Sequence, residues 1–282
     1  MADVLLDTLI DCLKILPFLF LTYLLMEYLE HRAGEKATEL MHGSGRFGPV
    51  IGGVLGVVPQ CGFSAAVSNL YAGGVITRGT LLAVFLSTSD EMLPILISER
   101  APAGFVFKVL AVKALVGIIA GLVIDAVARR AHDYREPHIH DICEDKNCHC
   151  DEKGVLVSAL IHTGQIIAFI FIITLVLNAV IFYVGEERLA GIILNRPVIG
   201  ELIAGVVGLI PNCAASVVIT QLYLQGAMSV GAMLSGLLVG SGVGLLVLFR
   251  MNRNPKDNVK TLVMLYVIGV VCGTVIGLLP IF

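Results

Sequence analysis

Residues 54–71 read VLGVVPQCGFSAAVSNLY, and residues 206–223 read VVGLIPNCAASVVITQLY. An offset of 152 positions superposes the two stretches without a gap. The identical pairs include Pro59 and Pro211, Cys61 and Cys213, Ser64 and Ser216, Tyr71 and Tyr223, and Gly56 and Gly208, and the same offset also pairs Gly74 with Gly226 just beyond these stretches. Two apolar helices share leucines and valines by chance, but a Pro-x-Cys break in register with these other residues indicates an internal repeat.

The composition excludes a soluble globular protein. Of the 282 residues, 57% are apolar and 15% are charged, against about a quarter charged in soluble domains, and the mean hydropathy is +0.90. The sequence therefore predicts an all-α polytopic membrane protein with the lipid bilayer as its main partner. The net charge of -3 averages lipid-facing and water-facing parts, so it gives no reason to expect a nucleic-acid partner.

Ten apolar segments are separated by polar or turn residues. They span residues 5–28, 47–58, 63–75, 81–97, 103–128, 156–184, 198–210, 214–224, 229–249 and 262–282. Four of them form two adjacent pairs split by prolines and are too short to span, because a twelve-residue helix covers about 18 Å of a hydrocarbon core of about 30 Å. Each pair is predicted to form a re-entrant hairpin or two thin, tilted spans.

The chain divides into a first membrane repeat (1–129), a polar central loop (130–153) and a second membrane repeat (154–282). Each repeat contains either five spans or three spans and a re-entrant hairpin. Both counts are odd, so a copy that follows directly must be upside down. The sequence therefore predicts two inverted five-segment repeats of the kind found in transporters.

Lysine and arginine in the loops predict the orientation. Thirteen of these residues fall on one predicted side, and three, Arg100, Arg188 and Arg196, fall on the other. By the positive-inside rule the central loop is cytoplasmic and both termini are outside. This topology fits an integral protein of a prokaryotic inner (plasma) membrane.

The two proline breaks are the candidate substrate site. Pro59 and Pro211 free backbone groups that lipid cannot satisfy, so such breaks survive only inside protein or beside a water-filled cavity. Inverted repeats would bring both breaks together near the midplane. The candidate substrate-binding residues are Gln60, Cys61, Ser64, Ser68, Asn69, Asn212, Cys213, Ser216, Thr220 and Gln221. The alternative is that glycine and proline only kink packed helices and that cysteine is a small apolar filler.

The breaks leave the chemistry of the substrate open. Helix N-termini favour an anion, whereas the carbonyl ends of the preceding half-helices favour a cation. Thiols suit a soft metal or metalloid.

Charged residues inside apolar segments form a second candidate site. Asp90 and Glu91 interrupt a predicted span, where an unpaired charge is costly, and Lys108 and Lys113 enter the next helix. They are interpreted either as a coupling-ion or proton site or as a structural ion pair. Glu201, at the start of the second broken segment, either guards its outer entrance or is a solvated interface residue.

The central loop concentrates metal-ligating residue types. They are His132, His138, His140, Cys143, Cys148, His149 and Cys150. Cytoplasmic thiols stay reduced, so ligation of a transition metal is a natural use, although the spacing fits no zinc template with two CxxC knuckles. The loop is predicted to be a flexible metal collector or sensor, or alternatively a charged linker. No tightly bound cofactor is expected beyond such a transition metal ion.

Four stretches carry a family resemblance. LFLTYLLMEYLEHRAGEK, GxxPQCGFSAA, STSDEMLP and GLIPNCAAS together resemble the ten-helix manganese or heavy-metal exporter family, distant kin of the arsenic permeases. The resemblance covers nearly the whole chain. It implies a ten-segment inner-membrane transporter with a His/Cys-bearing central loop that expels a metal or metalloid. It points to Pro59, Gln60, Cys61, Asp90, Glu91, Pro211, Asn212 and Cys213.

The predicted function is secondary transport that exports a manganese-like transition metal or an arsenic-like metalloid. No Walker A sequence is present, so this chain does not use ATP itself. Alternatives are a small-anion transporter, an intramembrane enzyme, for which no HExxH motif exists, and a metal sensor. We expect no enzyme activity, and the sequence is compatible with an oligomer.

Overall fold

The computed structural model describes residues 47–58, 61–89, 92–130, 163–172 and 198–279, and a few residues between 6 and 24 and near 160 and 175. Throughout these residues the regular secondary structure is helical. The helices are α1 (Gly48–Leu55), α2 (Cys61–Ala72), α3 (Arg78–Ser87), α4 (Met92–Ser98), α5 (Ala103–Arg130), α6 (Ile199–Gly208), α7 (Cys213–Leu224), α8 (Val230–Val239), α9 (Gly244–Met251) and α10 (Pro255–Leu278). Residues Thr163–Ile172 form a further apolar helix.

Four stretches are long and apolar enough to cross a membrane, the first of which also includes residues 90 and 91 outside the described part of the chain. They are Arg78–Ser98, Ala103–Ala128, Val230–Met251 and Pro255–Leu278. The first and third are 75% and 89% buried inside the protein, whereas the other two are only 28% buried. The protein is therefore an integral membrane protein in which α5 and α10 present apolar surface to lipid around two central stretches.

The helices repeat with the same offset as the sequence. Helices α2, α3, α4 and α5 each begin 152 residues before α7, α8, α9 and α10. Gly74 and Gly226, which end α2 and α7, have φ angles of 74° and 73°. Glycine adopts this left-handed conformation without strain, and the backbone N–H groups of the glycine and of the residue after it bond back to carbonyls of the last helical turn. The same pattern of residues thus stops both helices.

The next helix in each half starts with a hydroxyl cap. The Thr77 side chain accepts the N–H of Thr80 at the start of α3, and Ser229 accepts that of Ala232 at the start of α8, each at 3.1 Å. Such caps satisfy a backbone donor that the helix itself leaves free.

The structure interrupts two segments that the sequence predicts as continuous spans, residues 81–97 and 229–249. Helix α3 ends at Ser87 before α4 begins, and α8 ends at Val239 before α9 begins. The second gap contains Gly240 and Gly242, the latter with a φ of 54°. Both stretches remain long and apolar enough to cross a membrane, but the second interruption has no counterpart in the apolar pattern, because Gly240, Ser241 and Gly242 barely change the hydropathy of the segment.

Close contacts at glycines show the relative direction of α1 and α3. A β-carbon at Gly48 would collide with the Thr80 side chain, and one at Gly56 would collide with that of Ser87. The contacts advance together along both helices, so α1 and α3 run in the same direction. Helix α2 then leads back to the turn that precedes α3.

Small residues also bring α3 close to α5, and these two helices run in opposite directions. Gly79 lies against Gly121, and Ala83 lies against Gly117. Close approach of helix backbones at small residues is the usual way in which membrane helices pack. The matching contacts in the second half are Gly231 with Gly277 and Ser235 with Gly273.

Helices of the first half pack directly against helices of the second half. Helix α2 packs against α9, and α7 packs against α4. One apolar cluster combines Leu81 and Phe85 of the first half with Leu245 and Leu265 of the second. The central stretches are therefore surrounded by both repeats.

Candidate functional site

The end of α1 meets the gap between α3 and α4. The Ser89 hydroxyl donates to the Val57 carbonyl at 2.6 Å, and both Thr88 and Ser89 are buried. In the second half the gap lies beside α7, because a β-carbon at Gly240 would be 3.5 Å from Ser216 Oγ. Each helix gap is thus next to the proline-containing segment of the same half.

The hydroxyl groups of Ser68 and Thr220, which follow the proline breaks, bond to backbone carbonyls. Ser68 Oγ lies 2.8 Å from the carbonyls of both Ser64 and Gly244 and shares its one proton between them. Thr220 Oγ1 donates to the Ser216 carbonyl at 2.7 Å. These hydroxyl protons are occupied, so in this conformation Ser68 and Thr220 offer a substrate only their oxygen lone pairs.

Asn69 differs from its neighbours. It is fully buried, and neither the nitrogen nor the oxygen of its amide has a hydrogen-bond partner. Gln221, at the repeat-related position, is exposed, and Asn212 is buried with partners of its own. A buried amide with a vacant donor and a vacant acceptor requires an explanation such as a ligand or an ordered water.

Lys113 reaches from α5 to the second half. Only 1% of its surface is exposed, and its Nζ donates to the Leu237 carbonyl. Leu237 belongs to the last turn of α8, whose carbonyls lack partners within the helix and attract a positive charge. Lys108, which the sequence groups with it, is exposed.

Two buried carboxylates accept hydrogen bonds at the starts of the repeat-related helices α3 and α8, although the two residues are not at repeat-related positions in the sequence. Asp125 accepts the N–H of Gly79 at 2.9 Å and the Thr77 hydroxyl at 2.6 Å, at the start of α3. Glu201 accepts the Ser229 hydroxyl at 3.4 Å, at the start of α8. The sequence analysis did not select Asp125, although an acidic residue late in an apolar span is a usable signal.

A buried polar network joins the halves at the start of α3. Arg78 forms an ion pair with Asp257 of α10. The Tyr71 hydroxyl donates to Asp257 Oδ2 at 2.9 Å, and Asn252 Nδ2 donates to the same oxygen at 2.8 Å. The sequence analysis did not select this network, because its members are far apart in the chain.

The repeat-related positions carry a different contact. Tyr223, the counterpart of Tyr71, stacks on Phe105, with 5.3 Å between ring centroids. Val230 and Phe105 occupy the positions that the offset of 152 relates to Arg78 and Asp257. Polar bonds thus join the halves at one location, and an aromatic stack joins them at the related one.

The comparison with protein families identifies the group. A family model described as "Putative, 10TM heavy-metal exporter" matches residues 1–187. The chain belongs to this family. The match confirms the resemblance seen in the sequence, but it covers the first repeat, the loop and the start of the second repeat rather than nearly the whole chain. Comparisons with curated proteins and with solved structures give no match.

Several predicted residues of this exporter-family protein lie outside the described part of the chain. They are Pro59, Gln60, Asp90, Glu91, His132, His138, His140, Cys143, Cys148, His149 and Cys150. Cys61 and Cys213 are the first residues of α2 and α7, and Pro211 lies just before α7. Among the residues that the structure describes, no three His, Cys, Asp or Glu side chains converge as a metal site.

Proposed function

We propose that the protein is a secondary transporter that exports a transition metal or metalloid through a site at the two proline breaks and the two helix gaps. The observation that carries this proposal is the pair of interrupted helices at the centre of the protein, 75% and 89% buried. Non-helical backbone at membrane depth occurs where it lines a binding site or a cavity.

Contacts at the helix ends support inverted repeats. Arg78, at the start of α3, meets Asp257, at the start of α10. Gly231, at the start of α8, lies against Gly277, at the end of α10. Since α10 runs from the level of one start to the level of the other, α3 and α8 begin on opposite faces. Opposed halves around one site are the arrangement used for alternating access.

The course of α1 and α2 supports a re-entrant hairpin. Helix α1 runs alongside α3 as far as Ser87, and α2 returns to the turn that precedes α3. The hairpin tip would carry Pro59, Gln60 and Cys61. The related tip of α6 and α7 would carry Pro211, Asn212 and Cys213.

The residue types at the tips favour a soft cation. Cys61 and Cys213 would supply thiolates, which prefer soft transition metals and metalloids. The amide of Asn69 has no hydrogen-bond partner. It is therefore available to a transported ligand or to water molecules that still surround that ligand. In this proposal, Asp90 and Glu91 carry the coupling ion, and the His/Cys loop collects metal on the cytoplasmic side.

A small anion is the second candidate. Four helices, α2, α4, α7 and α9, begin at the breaks and gaps, and helix N-termini attract negative charge. The Lys113 ammonium lies at the end of α8, close to one of these gaps. An anion carrier would need these helix ends but not the thiols.

The deciding experiment measures uptake into inside-out vesicles or proteoliposomes. The panel contains Mn²⁺, Zn²⁺, arsenite and phosphate, and the variants are Cys61→Ser/Cys213→Ser and Cys272→Ser. Cys272 is a half-buried free cysteine of α10, so it serves as a matched control. We expect uptake of a metal or arsenite that collapses only in the double variant. Phosphate uptake that is indifferent to both cysteines would overturn the exporter proposal in favour of an anion carrier.

Deletion of residues 132–152 separates a transporter from a sensor. A transporter should keep a core activity at saturating substrate, because the proposed site lies in the membrane. Complete loss of uptake by a folded deletion variant would contradict the assignment of the loop as an accessory collector.

A further inference from the structure

We infer that Cys12, Met251 and Asn69 form a binding site for a soft monovalent cation of the Cu⁺ and Ag⁺ type. The site lies between α2, α9 and two neighbouring helical segments, one around Cys12 and one at Thr163–Ile172. The binding site itself does not depend on transport, whereas its role as a stage of the transport path rests on the proposed function. The sequence analysis selected Asn69 but neither of the two sulfur-containing residues.

One apolar cluster contains both sulfur-containing side chains. Its buried members are Cys12, Ala65, Ile166, Ile170, Val243, Val247 and Met251. Cys12 is 5% exposed and Met251 is 7% exposed. The thiol and the thioether therefore belong to the same part of the protein interior, although 239 positions separate them in the chain.

The Asn69 side chain lies on the face of α2 that packs against this cluster. Ala65, Asn69 and Ala72 have the i, i+4, i+7 spacing that places residues on one face of a helix. Ala65 is a member of the cluster, and Ala72 packs against it. Asn69 stands between these two alanines and is fully buried. Its amide is thus directed into the interior that holds the two sulfur atoms.

The contacts between α2 and α9 place Met251 close to the level of Asn69. A β-carbon at the first residue of α9 would be 2.9 Å from the Ser64 side chain. At the ends of the same two helices, Tyr71 and Asn252 bond to one carboxylate oxygen of α10. The two helices therefore run side by side in one direction, and Met251 lies near the level of Tyr71. Asn69 comes two residues before Tyr71, which is about 3 Å along the helix axis.

The amide of Asn69 is the observation that points to a ligand. Neither its nitrogen nor its oxygen has a hydrogen-bond partner. A buried amide without partners costs stability, so an interior in which Cys12 and Met251 only fill space would leave this amide unexplained. The adjacent Ser68 hydroxyl, in contrast, bonds to two backbone carbonyls. A cation held by the two sulfur atoms would give the amide oxygen a partner.

The donor atoms select the class of cation. Thiolate and thioether sulfur prefer soft cations such as Cu⁺, and Ag⁺ is its redox-stable analogue, whereas Mn²⁺ prefers carboxylate and water oxygen. When the metal binds, the S–H bond of Cys12 breaks, its electron pair forms the sulfur–metal bond, and the proton passes to water. Met251 Sδ and Asn69 Oδ1 each donate a lone pair. No atom changes its oxidation state.

The site lies to one side of the first proline break. Helix α2 begins at Cys61, and Asn69 is eight residues further on, about 12 Å along the axis. This direction leads to the turn before Arg78, which the positive-inside rule makes the cytoplasmic face. A soft cation that enters from the cytoplasm would reach this site before it reaches the thiols at the breaks.

Silver binding by the purified protein in detergent tests the site without any transport. The starting protein keeps Cys12 and has serine at the other six of its seven cysteines. X-ray absorption of bound Ag⁺ should show two sulfur neighbours in this protein and one in Met251→Leu, a substitution that nearly conserves volume. Met251→Leu and Asn69→Leu should each weaken Ag⁺ binding by about tenfold or more, since even the loss of an outer-shell partner costs about tenfold in metal affinity.

Met228→Leu is the matched control, because Met228 is buried in a different apolar cluster. It should leave both the spectrum and the affinity unchanged, and gel filtration checks that every variant is folded. A single sulfur neighbour before any substitution of Met251 would overturn the inference, because Cys12 would then bind silver as an isolated thiol. Unchanged affinity in Met251→Leu or in Asn69→Leu would overturn it as well.

Transport tests the role on the path separately. In proteoliposomes with all native cysteines, Met251→Leu should slow Ag⁺ uptake at low Ag⁺ concentration, and Met228→Leu should not. Suppose that Cys61→Ser/Cys213→Ser abolishes uptake while Met251→Leu changes neither uptake nor binding: the proposed function then stands and this site fails. Silver binding that depends on Met251 in a protein that transports no probe would have the opposite meaning.

Discussion

At the residue scale, Asn69 tests whether a side chain serves substrate binding rather than stability, because its buried amide has no hydrogen-bond partner. An unsatisfied buried amide costs stability, so Asn69→Leu should leave the free energy of unfolding unchanged or raise it by about 1 kcal/mol. The same variant should lose transport, because the donor and the acceptor are gone. Thermal unfolding by circular dichroism and vesicle uptake measure the two effects.

Ser68→Ala is the control for this prediction. Its hydroxyl bonds to backbone carbonyls, so its removal should lower stability by about 1 kcal/mol. Normal transport by Asn69→Leu would show that the amide is not part of the site.

Lys113 provides a second test at this scale. Lys113→Met leaves the Leu237 carbonyl without its charged donor and should cost about 2 kcal/mol of stability. Lys108→Met, at an exposed position of the same helix, should change stability by less than about 0.5 kcal/mol. Thermal unfolding of both variants checks the difference, and equal midpoints would contradict the role of Lys113 in holding α8.

At the scale of elements, helix packing depends on particular glycines. A β-carbon at Gly121 would lie 2.5 Å from the Gly79 carbonyl and 2.9 Å from the Ala83 side chain, so Gly121→Ala should destabilise the protein by about 1–3 kcal/mol. Gly104→Ala, in the same helix, meets open space and should be neutral or slightly stabilising. A chemical denaturation series in detergent compares them. Equal effects of Gly121→Ala and Gly104→Ala on the free energy of unfolding would mean that α3 and α5 can move apart without a loss of stability.

The sequence predicted the elements whose signal is local. The proline-split segments and the apolar runs that overlap α5 and α10 are visible in hydropathy, although α10 begins at Pro255, seven residues before its apolar run. The offset of 152 recurs in the helix starts. The gap between α8 and α9 was missed, because Gly240 and Ser241 hardly alter the hydropathy of their segment. The Asp125 contact and the Asp257 network were missed because the partners of these carboxylates are distant in the chain. Glu201 was noticed in the sequence, but its contact with Ser229, 28 residues away, was not predicted.

At the scale of the whole molecule, the two repeats join differently at related places. The first junction is the Arg78 and Asp257 ion pair with Tyr71 and Asn252, and the related one is the Phe105 and Tyr223 stack. A charged, hydrogen-bonded junction must break several directed bonds before it separates, whereas stacked rings separate without leaving charges unpaired. The two faces of the transporter should therefore differ in how readily they open.

Breaking the polar junction should favour opening on its face. Asp257→Asn removes the ion pair and leaves Arg78 with a neutral partner, and a loss of about 1.4 kcal/mol would raise the open population about tenfold. A cysteine at the buried position 68, in a background without other cysteines, should then react faster with a membrane-impermeant thiol reagent added from the Arg78 face. Phe105→Ala should accelerate labelling only from the other face. If Asp257→Asn accelerates labelling equally from both faces, the network stabilises the fold as a whole and does not control access to one side.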